Sequence, residues 1–237
     1  TQPIQPAQID FGGEVPQAPA FGDVYHPRIG ALVQARHVFL QGNRLAERFA
    51  ALAGGQVFAI GETGFGTGLN FLCAWQLFEQ AAPAGAALEF HSVEAHPLDT
   101  DSLRAALALW PSLHDRARAL CAAWPGEAPG AHRLDFGRVQ LQLDIDDVAA
   151  ALPRWPTCHI DAWFLDGFAP SRNPAMWSDA VLAEVARTAR PGASFATYTS
   201  AGWVRRGLQR AGFQPRRAPG FGHKRQMLIG QLANGLP

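Results

Sequence analysis

A glycine-rich segment is the part of this sequence whose residue types and spacing most clearly suit ligand binding. Glu62-Thr63-Gly64-Phe65-Gly66-Thr67-Gly68, here called the glycine loop, lies between a short apolar run and a helical pattern that starts at Leu69. Glycine accepts positive φ and places no Cβ between the backbone and a ligand. Amides at the start of the next helix can meet a ligand's polar groups. The loop therefore indicates a nucleotide-like cofactor, although a plain tight turn would use the same residues.

The spacing within the glycine loop separates it from two phosphate-binding motifs. Its third glycine, Gly68, comes one residue too early for the dinucleotide fingerprint G-x-G-x-x-G, and no Gly-Lys-Ser/Thr follows as in a phosphate-binding P-loop. Glu62 stands at the strand end, where its carboxylate would repel a pyrophosphate. The same carboxylate would suit the amino group of a methionine moiety.

Two more acidic residues follow predicted strands. Glu94 ends the second strand, 26 residues after Gly68, where Rossmann-like sheets carry a ribose-binding carboxylate. Asp144 ends the third strand and is placed to accept a hydrogen bond from an adenine amino group, although a helix N-cap is an equally good reading of Asp144 alone. Ligands of such sheets bind outside the carboxyl ends of the strands. Together with Glu62, these acids favour S-adenosylmethionine over NAD.

Asp166 is the candidate catalytic residue, since it ends the fourth predicted strand beside the same cleft. A carboxylate there can orient an amine, accept its proton and stabilise the developing ammonium. Holding the amine in line with a methyl donor supplies much of the rate of such a transfer. Phe168 would then form a wall of the acceptor site. The structural alternative is a turn-capping aspartate followed by a packed aromatic ring.

Basic residues are concentrated in the last part of the chain. They are Arg205, Arg206, Arg210, Arg216, Arg217, His223, Lys224 and Arg225. Such a cluster can contact the phosphates of a nucleic acid, and surface arginines on terminal strands are the structural alternative. The chain has 20 Lys and Arg against 20 Asp and Glu, which argues against a strongly basic nucleic-acid binder but leaves room for a local basic face.

Alternating strand and helix patterns must position these residues. The predicted strands are 57–60, 88–93, 139–143, 162–165 and 194–199, with a closing pair at 213–217 and 226–231. The predicted helices are 69–80, 98–109, 148–152, 176–189 and 204–211. This alternation predicts an α/β fold with a doubly wound, mostly parallel sheet and an antiparallel C-terminal strand. Together with the residues that favour S-adenosylmethionine, it indicates a Rossmann-like fold of the class I methyltransferase type.

The N-terminal region reads as an extension of this core. Residues 1–30 are rich in Pro and Gly, with short apolar stretches at 9–11 and 23–25, and predict a small hairpin or an extended arm. Residues 31–53 predict mostly helix, interrupted near Gly42 and Asn43. We expect residues 1–55 to pack on a methyltransferase core at 56–237, within one structural domain.

Composition excludes several classes of protein. With 237 residues, 48% of them hydrophobic, the chain has ample material for a core. No apolar run reaches the ~18 residues of a membrane helix, and the N-terminus does not resemble a signal peptide, so we expect a cytoplasmic protein without membrane contact. Cys73, Cys121 and Cys158 form no C-x-x-C and no paired His accompanies them, which predicts reduced thiols and no metal site.

These residues occur in stretches that resemble one known family, the methyltransferase half of the bacterial tRNA 5-methylaminomethyl-2-thiouridine biosynthesis proteins (MnmC type). The resemblance covers roughly residues 9 to 232. The matching stretches are 22–25, 38–43, 61–71, 161–170, Asn173-Pro174, Met176-Trp177, 199–202, 204–208, 220–222 and Lys224-Arg225. The extended glycine loop and the run from Asp161 to Pro170 are the most specific of them.

The resemblance implies methyl transfer from S-adenosylmethionine to the primary amine of 5-aminomethyl-2-thiouridine at the tRNA wobble position. Asp166 would be the catalytic carboxylate. The residues that would hold the cofactor are Glu62, Gly64, Gly66, Gly68, Glu94 and Asp144, with Gln41 and Asn43 as further contributors. Those that would contact the tRNA are Tyr25, Phe168, Arg205, Arg206, Lys224 and Arg225.

One departure from the family concerns the FAD-dependent oxidase that many members carry after this half. The present sequence has no room for it, so we expect no FAD and no oxidase activity, with a separate enzyme or a direct route supplying the aminomethyl substrate. Two other functions stay open on sequence grounds. They are methylation of a small-molecule amine, which the neutral total charge suggests, and a noncatalytic module that binds S-adenosylmethionine or tRNA.

Overall fold

The computed structural model describes residues 30–222 and 225–234, together with the backbone of two short strands, β1 (Gln17–Ala18) and β2 (Asp23–Val24). These two strands pair antiparallel in the segment where a hairpin or arm is predicted. The apolar stretch at 9–11, as well as Tyr25 and Lys224, lies outside the described residues.

Eight further strands form one sheet in the order β5-β6-β4-β3-β7-β8-β10-β9. Their bounds are β3 Val57–Glu62, β4 Ala87–Glu94, β5 Gly130–Asp135, β6 Val139–Ile145, β7 Ile160–Phe164, β8 Ala189–Thr197, β9 Arg216–Pro219 and β10 Gln226–Gln231. The five central strands from β6 to β8 are parallel, while β5 at one edge and β10 with β9 at the other are antiparallel. This confirms the doubly wound, mostly parallel sheet with an antiparallel C-terminal end.

Helices cover both faces of the sheet. On one face lie α1 Ala31–Ala35, a π-helix Arg36–Gln41, α2 Leu45–Ala50, α3 Leu69–Ala81, α4 Thr100–Leu107 and α5 His114–Ala123. The other face carries α6 Val148–Ala151, α7 Asp179–Thr188 and α8 Gly202–Arg210. Short 3₁₀ turns occupy Pro111–Leu113, Leu152–Arg154 and Pro174–Trp177. Each face buries its own apolar cluster, as expected when helices cover a parallel sheet on both sides.

Several predicted elements differ from the structure. β5 and α5 were not predicted, because β5 is a mostly exposed edge strand with one buried side chain, and α5 buries only Ala117 and Leu120. The predicted helix 176–189 is divided, since the Ser178 side chain accepts from the Val181 amide and starts α7 there.

The closing strand begins at Arg216 rather than at Phe213, which forms an isolated bridge with Leu232. Pro215 lies between them and cannot donate a ladder hydrogen bond. Among the helices of the described residues, none is long and apolar enough to cross a membrane.

Candidate functional site

A cavity of about 460 Å³ opens at the carboxyl ends of the parallel strands. This is within the size range of small-molecule sites, and strand carboxyl ends are where ligands bind in open α/β sheets. Its walls come from the glycine loop, the residues after β4, β6 and β7, and α1 with the π-helix. The polar or aromatic residues that line it include Phe39, Thr63, Asn70, Glu94, His96, Asp146, Asp147, Asp166, Phe168 and Tyr198.

The glycine loop forms the floor of the cavity. Gly64 and Gly66 line it, and a Cβ built on Gly64 would lie 3.2 Å from the carbonyl oxygen of Asp166, a tight contact that glycine avoids. Gly68 does not line the cavity. It begins α3 with φ 73°, a left-handed conformation that favours glycine.

Glu94 lies at the end of β4, as predicted, and lines the cavity. Both of its carboxylate oxygens are fixed by backbone amides. Gly66 N donates to Oε2 at 2.7 Å, and His96 N donates to Oε1 at 2.8 Å. The glycine loop and the β4 carboxylate are thus held together as one rigid unit, with lone pairs left for a ligand's hydroxyl groups.

Glu62, at the end of β3, is fully buried beneath the cavity rather than exposed in it. Its Oε1 accepts from Asn70 Nδ2 at 2.9 Å, and its Oε2 accepts from Ser92 Oγ at 2.7 Å. Burial, followed by the negative charge of nearby Asp166, raises the pKa of Glu62 well above its usual value. A cationic group bound in the cavity would oppose that shift and favour the carboxylate form.

Asp166 follows β7 and lines the cavity. Gly167 N donates to its Oδ1 at 2.8 Å, and Asn70 Nδ2 donates to its Oδ2 at 2.7 Å. The backbone after it is fixed as well, because Tyr198 OH donates to Gly167 O at 2.7 Å. The carboxylate is therefore held in one orientation, as a group that positions a reacting amine needs to be.

Phe168 lines the cavity as predicted. Asn70, by contrast, was not predicted from the sequence as a site residue. It lines the cavity from the first turn of α3 and touches both Glu62 and Asp166. The one available signal was its place two residues after Gly68.

Asp144 lies inside β6 and does not line the cavity within the described part of the chain. Its carboxylate accepts from Trp155 Nε1 at 2.9 Å and from Arg154 Nη2 at 3.0 Å. Asp146, the acid just past the strand end, lines the cavity. Asp144 is thus not at the strand end where it was predicted, and the acid past the end of β6 is two residues further along.

Gln41 and Asn43 also lie apart from the cavity lining given by the described residues. Asn43 is buried under the sheet, where its Nδ2 donates to Phe39 O at 3.0 Å and its Oδ1 accepts from Ser194 Oγ at 2.6 Å. Gln41 Oε1 pairs with His37 Nδ1 at 3.1 Å. Both side chains thus hold the π-helix in place.

A second, open depression of about 660 Å³ adjoins the cavity. Ala169 and Tyr198 line both, so the two spaces meet beside the loop that carries Asp166. The depression also has Trp203, whose exposure is 39%, and the exposed Arg225. We call it the Trp203 groove. Arg205 and Arg206 lie nearby on α8, half-buried and exposed respectively, without lining it.

The residues around the cavity offer hydrogen-bond acceptors that suit the donor groups of S-adenosylmethionine. Asn70 lines the cavity, and its Oδ1 is buried and has no hydrogen-bond partner among the described residues. Buried polar atoms are seldom left unpaired, so an orphan acceptor next to a cavity indicates a ligand donor. An ammonium group at Asn70 would satisfy its Oδ1, and the acids Glu94 and Asp146 present further acceptors.

Comparisons with known proteins agree with this geometry. A family model described as S-adenosyl-L-methionine-dependent methyltransferase matches residues 111–233. The chain is 57% identical over 231 residues to the tRNA 5-methylaminomethyl-2-thiouridine biosynthesis bifunctional protein MnmC of Pseudomonas aeruginosa strain UCBPP-PA14, covering 96% of this chain and 35% of that protein. It is 56% identical over 217 residues to the protein of the same name from Nitrosospira multiformis, covering 92% and 35%.

The chain therefore spans about a third of the length of these curated relatives. Among solved structures, the crystal structure of MNMC2 from Aquifex aeolicus superposes with a TM-score of 0.75 at 19% identity, covering 98% of this chain and 72% of that one. This likeness confirms the Rossmann-like fold.

Proposed function

The chain belongs to the S-adenosyl-L-methionine-dependent methyltransferases, and we propose that it methylates the primary amine of 5-aminomethyl-2-thiouridine at the wobble position of tRNA. The observation that carries the proposal is the position of Asp166. It lies in the cofactor cavity, on the loop where that cavity meets the Trp203 groove. One carboxylate can therefore reach both a methyl donor and an acceptor that enters from the groove.

The cofactor supplies an electrophilic methyl group on a sulfonium. Around it, Glu94 would bind the ribose hydroxyls and Asp146 the adenine amino group. Glu62 and Asn70 would face the methionine ammonium, while Gly64 and Gly66 let the ligand lie against the backbone. This assignment keeps Glu62 and Glu94 in the roles predicted from sequence and moves the role predicted for Asp144 to Asp146.

Asp166 would act on the acceptor amine. An amine attacks a methyl group only through its free lone pair, so its ammonium form must first lose a proton. The Asp166 carboxylate would accept a hydrogen bond from the amine, aim the lone pair and stabilise the positive charge that develops on nitrogen. Phe168 and Tyr198 would form the walls that keep the amine in this position.

The Trp203 groove suits a nucleotide acceptor. An exposed indole provides a surface on which a splayed-out base can stack, and single-stranded loops of RNA are recognised in this way. Arg225 beside it, with Arg205 and Arg206 on α8, would contact phosphates. The tRNA face would include Tyr25 and Lys224, as the resemblance implies.

The identity of the acceptor is inferred from the relatives. Their name specifies the nucleoside 5-methylaminomethyl-2-thiouridine, and the methyl group on its side-chain nitrogen is the group that an N-methyltransferase would add. We propose that another activity leaves the primary amine on the uridine before this chain acts. A tRNA acceptor would place the protein in the cytoplasm.

The test is incubation of the purified chain with labelled S-adenosylmethionine and tRNA that carries 5-aminomethyl-2-thiouridine, followed by nucleoside analysis. Label in 5-methylaminomethyl-2-thiouridine is expected. The controls are the same tRNA without the aminomethyl group and a set of small primary amines. Label in the small amines alone would replace the tRNA by a small-molecule acceptor. Cofactor binding without transfer to any of them would indicate a binding module.

A further inference from the structure

Two histidines and a glutamate converge on the face of the sheet covered by α6 and α7, away from the cofactor cavity. Glu89 and His91 are two residues apart on β4 and therefore share one face of the sheet, and His159 directly precedes β7. His159 Nε2 lies 2.9 Å from Glu89 Oε2, and His91 Nε2 lies 3.6 Å from the same oxygen. One ligand atom from each residue lies within 4.8 Å of the other two. The group lies along the middle of β4 and at the start of β7, whereas the cavity opens past the carboxyl ends of the strands.

His91 is the most constrained of the three. It is 9% exposed, and its Nε2 is buried without a hydrogen-bond partner among the described residues. Its ring packs 5.4 Å from the ring of Trp155 and 5.0 Å from the ring of His159. The His91 Nε2 is within ion-pair range of the Glu89 carboxylate but, at 3.6 Å, too far for a hydrogen bond, and a buried ring nitrogen without one needs an explanation.

The local sequence creates the space that this group fills. β3 lies between β4 and β7, and its residue next to Glu89 is Ala59. Because alanine hardly extends above the sheet, the side chains of β4 can reach those of His159 across the intervening strand. The three residues therefore join two strands that are not neighbours in the sheet.

We propose that Glu89, His91 and His159 bind a zinc ion. Imidazole nitrogens and a carboxylate oxygen are common zinc ligands, at about 2.0–2.2 Å from the metal. Two ligands at that distance from a tetrahedral zinc lie roughly 3.4 Å apart. The observed separations of 2.9 and 3.6 Å lie on either side of this value. Magnesium and calcium fit poorly, since they prefer oxygen ligands throughout.

The surroundings leave a way in for the ion. The side chains of Glu89 and His159 are 29% and 28% exposed, so one side of the group faces solvent and provides a fourth position for water. Zinc bound there would cross-link β4 to the chain entering β7 and would satisfy the orphan nitrogen of His91. The expected role is stabilisation of the sheet. The sequence predicted no metal site, because His159 lies 68 residues after His91 and is brought to it only by the order of the strands in the sheet.

The test is zinc titration of the whole chain, stripped of metal with a chelator, followed by calorimetry and thermal unfolding. One Zn²⁺ per chain and a higher Tm are expected. His159→Gln and Glu89→Gln change partly exposed residues, so both variants should fold. Each should weaken zinc binding by more than the ~10–100-fold typical of residues beyond the ligand shell.

Two variants serve as controls. His114→Ala removes an exposed histidine outside the group, and Cys158→Ser removes the exposed thiol next to His159. Both should bind zinc as the wild type does. The proposal is overturned if the wild type binds no zinc, if His159→Gln and Glu89→Gln bind it unchanged, or if Cys158→Ser alone abolishes binding. These readouts do not depend on methyl transfer.

Discussion

Asn70 Nδ2 donates to Asp166 Oδ2 at 2.7 Å, and the same amide group also donates to Glu62 Oε1 at 2.9 Å. One neutral side chain on α3 thus bridges two acids that end neighbouring strands, β3 and β7. The bridge fixes the orientation of Asp166 and offsets part of the repulsion between the carboxylates. Glu62, Asn70 and Asp166 therefore form one hydrogen-bonded unit, with Asn70 and Asp166 lining the cavity and Glu62 buried beneath it.

Replacing Asn70 should impair catalysis more than binding. In Asn70→Ala, Asp166 loses one of the donors that orient it, and misplacement on the scale of 1 Å costs about 10²-fold in rate. We expect kcat to fall by about that factor, with a smaller change in the KM for tRNA. Steady-state kinetics at saturating S-adenosylmethionine, with tRNA varied, measure both parameters. Gln80→Ala, at an exposed amide on the same helix, is the control, and an unchanged kcat in Asn70→Ala would exclude the positioning role.

Glu62 should make the stability of the cofactor-free protein depend on pH. Its pKa is raised in the folded state, so the folded protein binds a proton that the unfolded chain releases near its ordinary pKa. The resulting stability is present below about pH 4.5 and is lost as the pH rises through the folded-state pKa. Glu62→Gln removes this loss, so its unfolding free energy should fall less than that of the wild type as the pH rises above about 4.5.

Urea denaturation at a series of pH values measures this difference. Glu127→Gln, at an exposed position, should follow the wild type. Parallel pH profiles for the wild type and Glu62→Gln would show that the buried carboxyl group does not change its protonation on folding. Glu62→Gln should also bind S-adenosylmethionine more weakly, because the ammonium loses a carboxylate partner.

Periodicity and loop composition were sufficient for the parallel part of the sheet, for the glycine loop, and for the positions of Glu94 and Asp166 beside the cavity. Each of these depends on one strand ending in one loop, which is local information. Asp144 shows where such information fails, because β6 continues to Ile145 and the acid past its end is Asp146. The bridge made by Asn70 depends on β3 and β7 being neighbours, which sequence spacing does not fix. Asn43 was a candidate ligand, yet it is turned under the sheet by the π-helix before it.

Asp146 and Asp144 form a matched pair for testing the adenine position. Both carboxylates form an ion pair with Arg154, so each variant loses one contact of this arginine. Asp146→Asn should weaken S-adenosylmethionine binding about tenfold, or ~1.4 kcal/mol. Asp144→Asn should lower thermal stability while leaving the cofactor Kd nearly unchanged. Calorimetric titration of both variants measures this, and the opposite order of effects would return the adenine contact to Asp144.

Trp203 should matter for tRNA and not for the cofactor. Stacking of a base on an aromatic side chain contributes about 1–3 kcal/mol. Trp203→Ala should therefore raise the Kd for tRNA by a corresponding factor and leave the Kd for S-adenosylmethionine unchanged. Leu109→Ala, at an exposed apolar residue with a similar exposure of 38%, is the control. Equal tRNA binding by wild type and Trp203→Ala would remove the groove from the substrate site.

In the proposed reaction, the Asp166 carboxylate holds the amine of the wobble uridine for methylation. Single-turnover methylation of tRNA carrying 5-aminomethyl-2-thiouridine tests this role, with the wild type compared with Asp166→Asn. Both proteins are saturated with S-adenosylmethionine, and the affinity of each for this cofactor is measured separately. Removing a positioned acid–base group typically costs 10²–10⁴-fold in rate, and we expect a loss of about that size in Asp166→Asn with cofactor affinity retained. Methyl transfer at the wild-type rate by Asp166→Asn would show that the Asp166 carboxylate does not hold the amine for methylation.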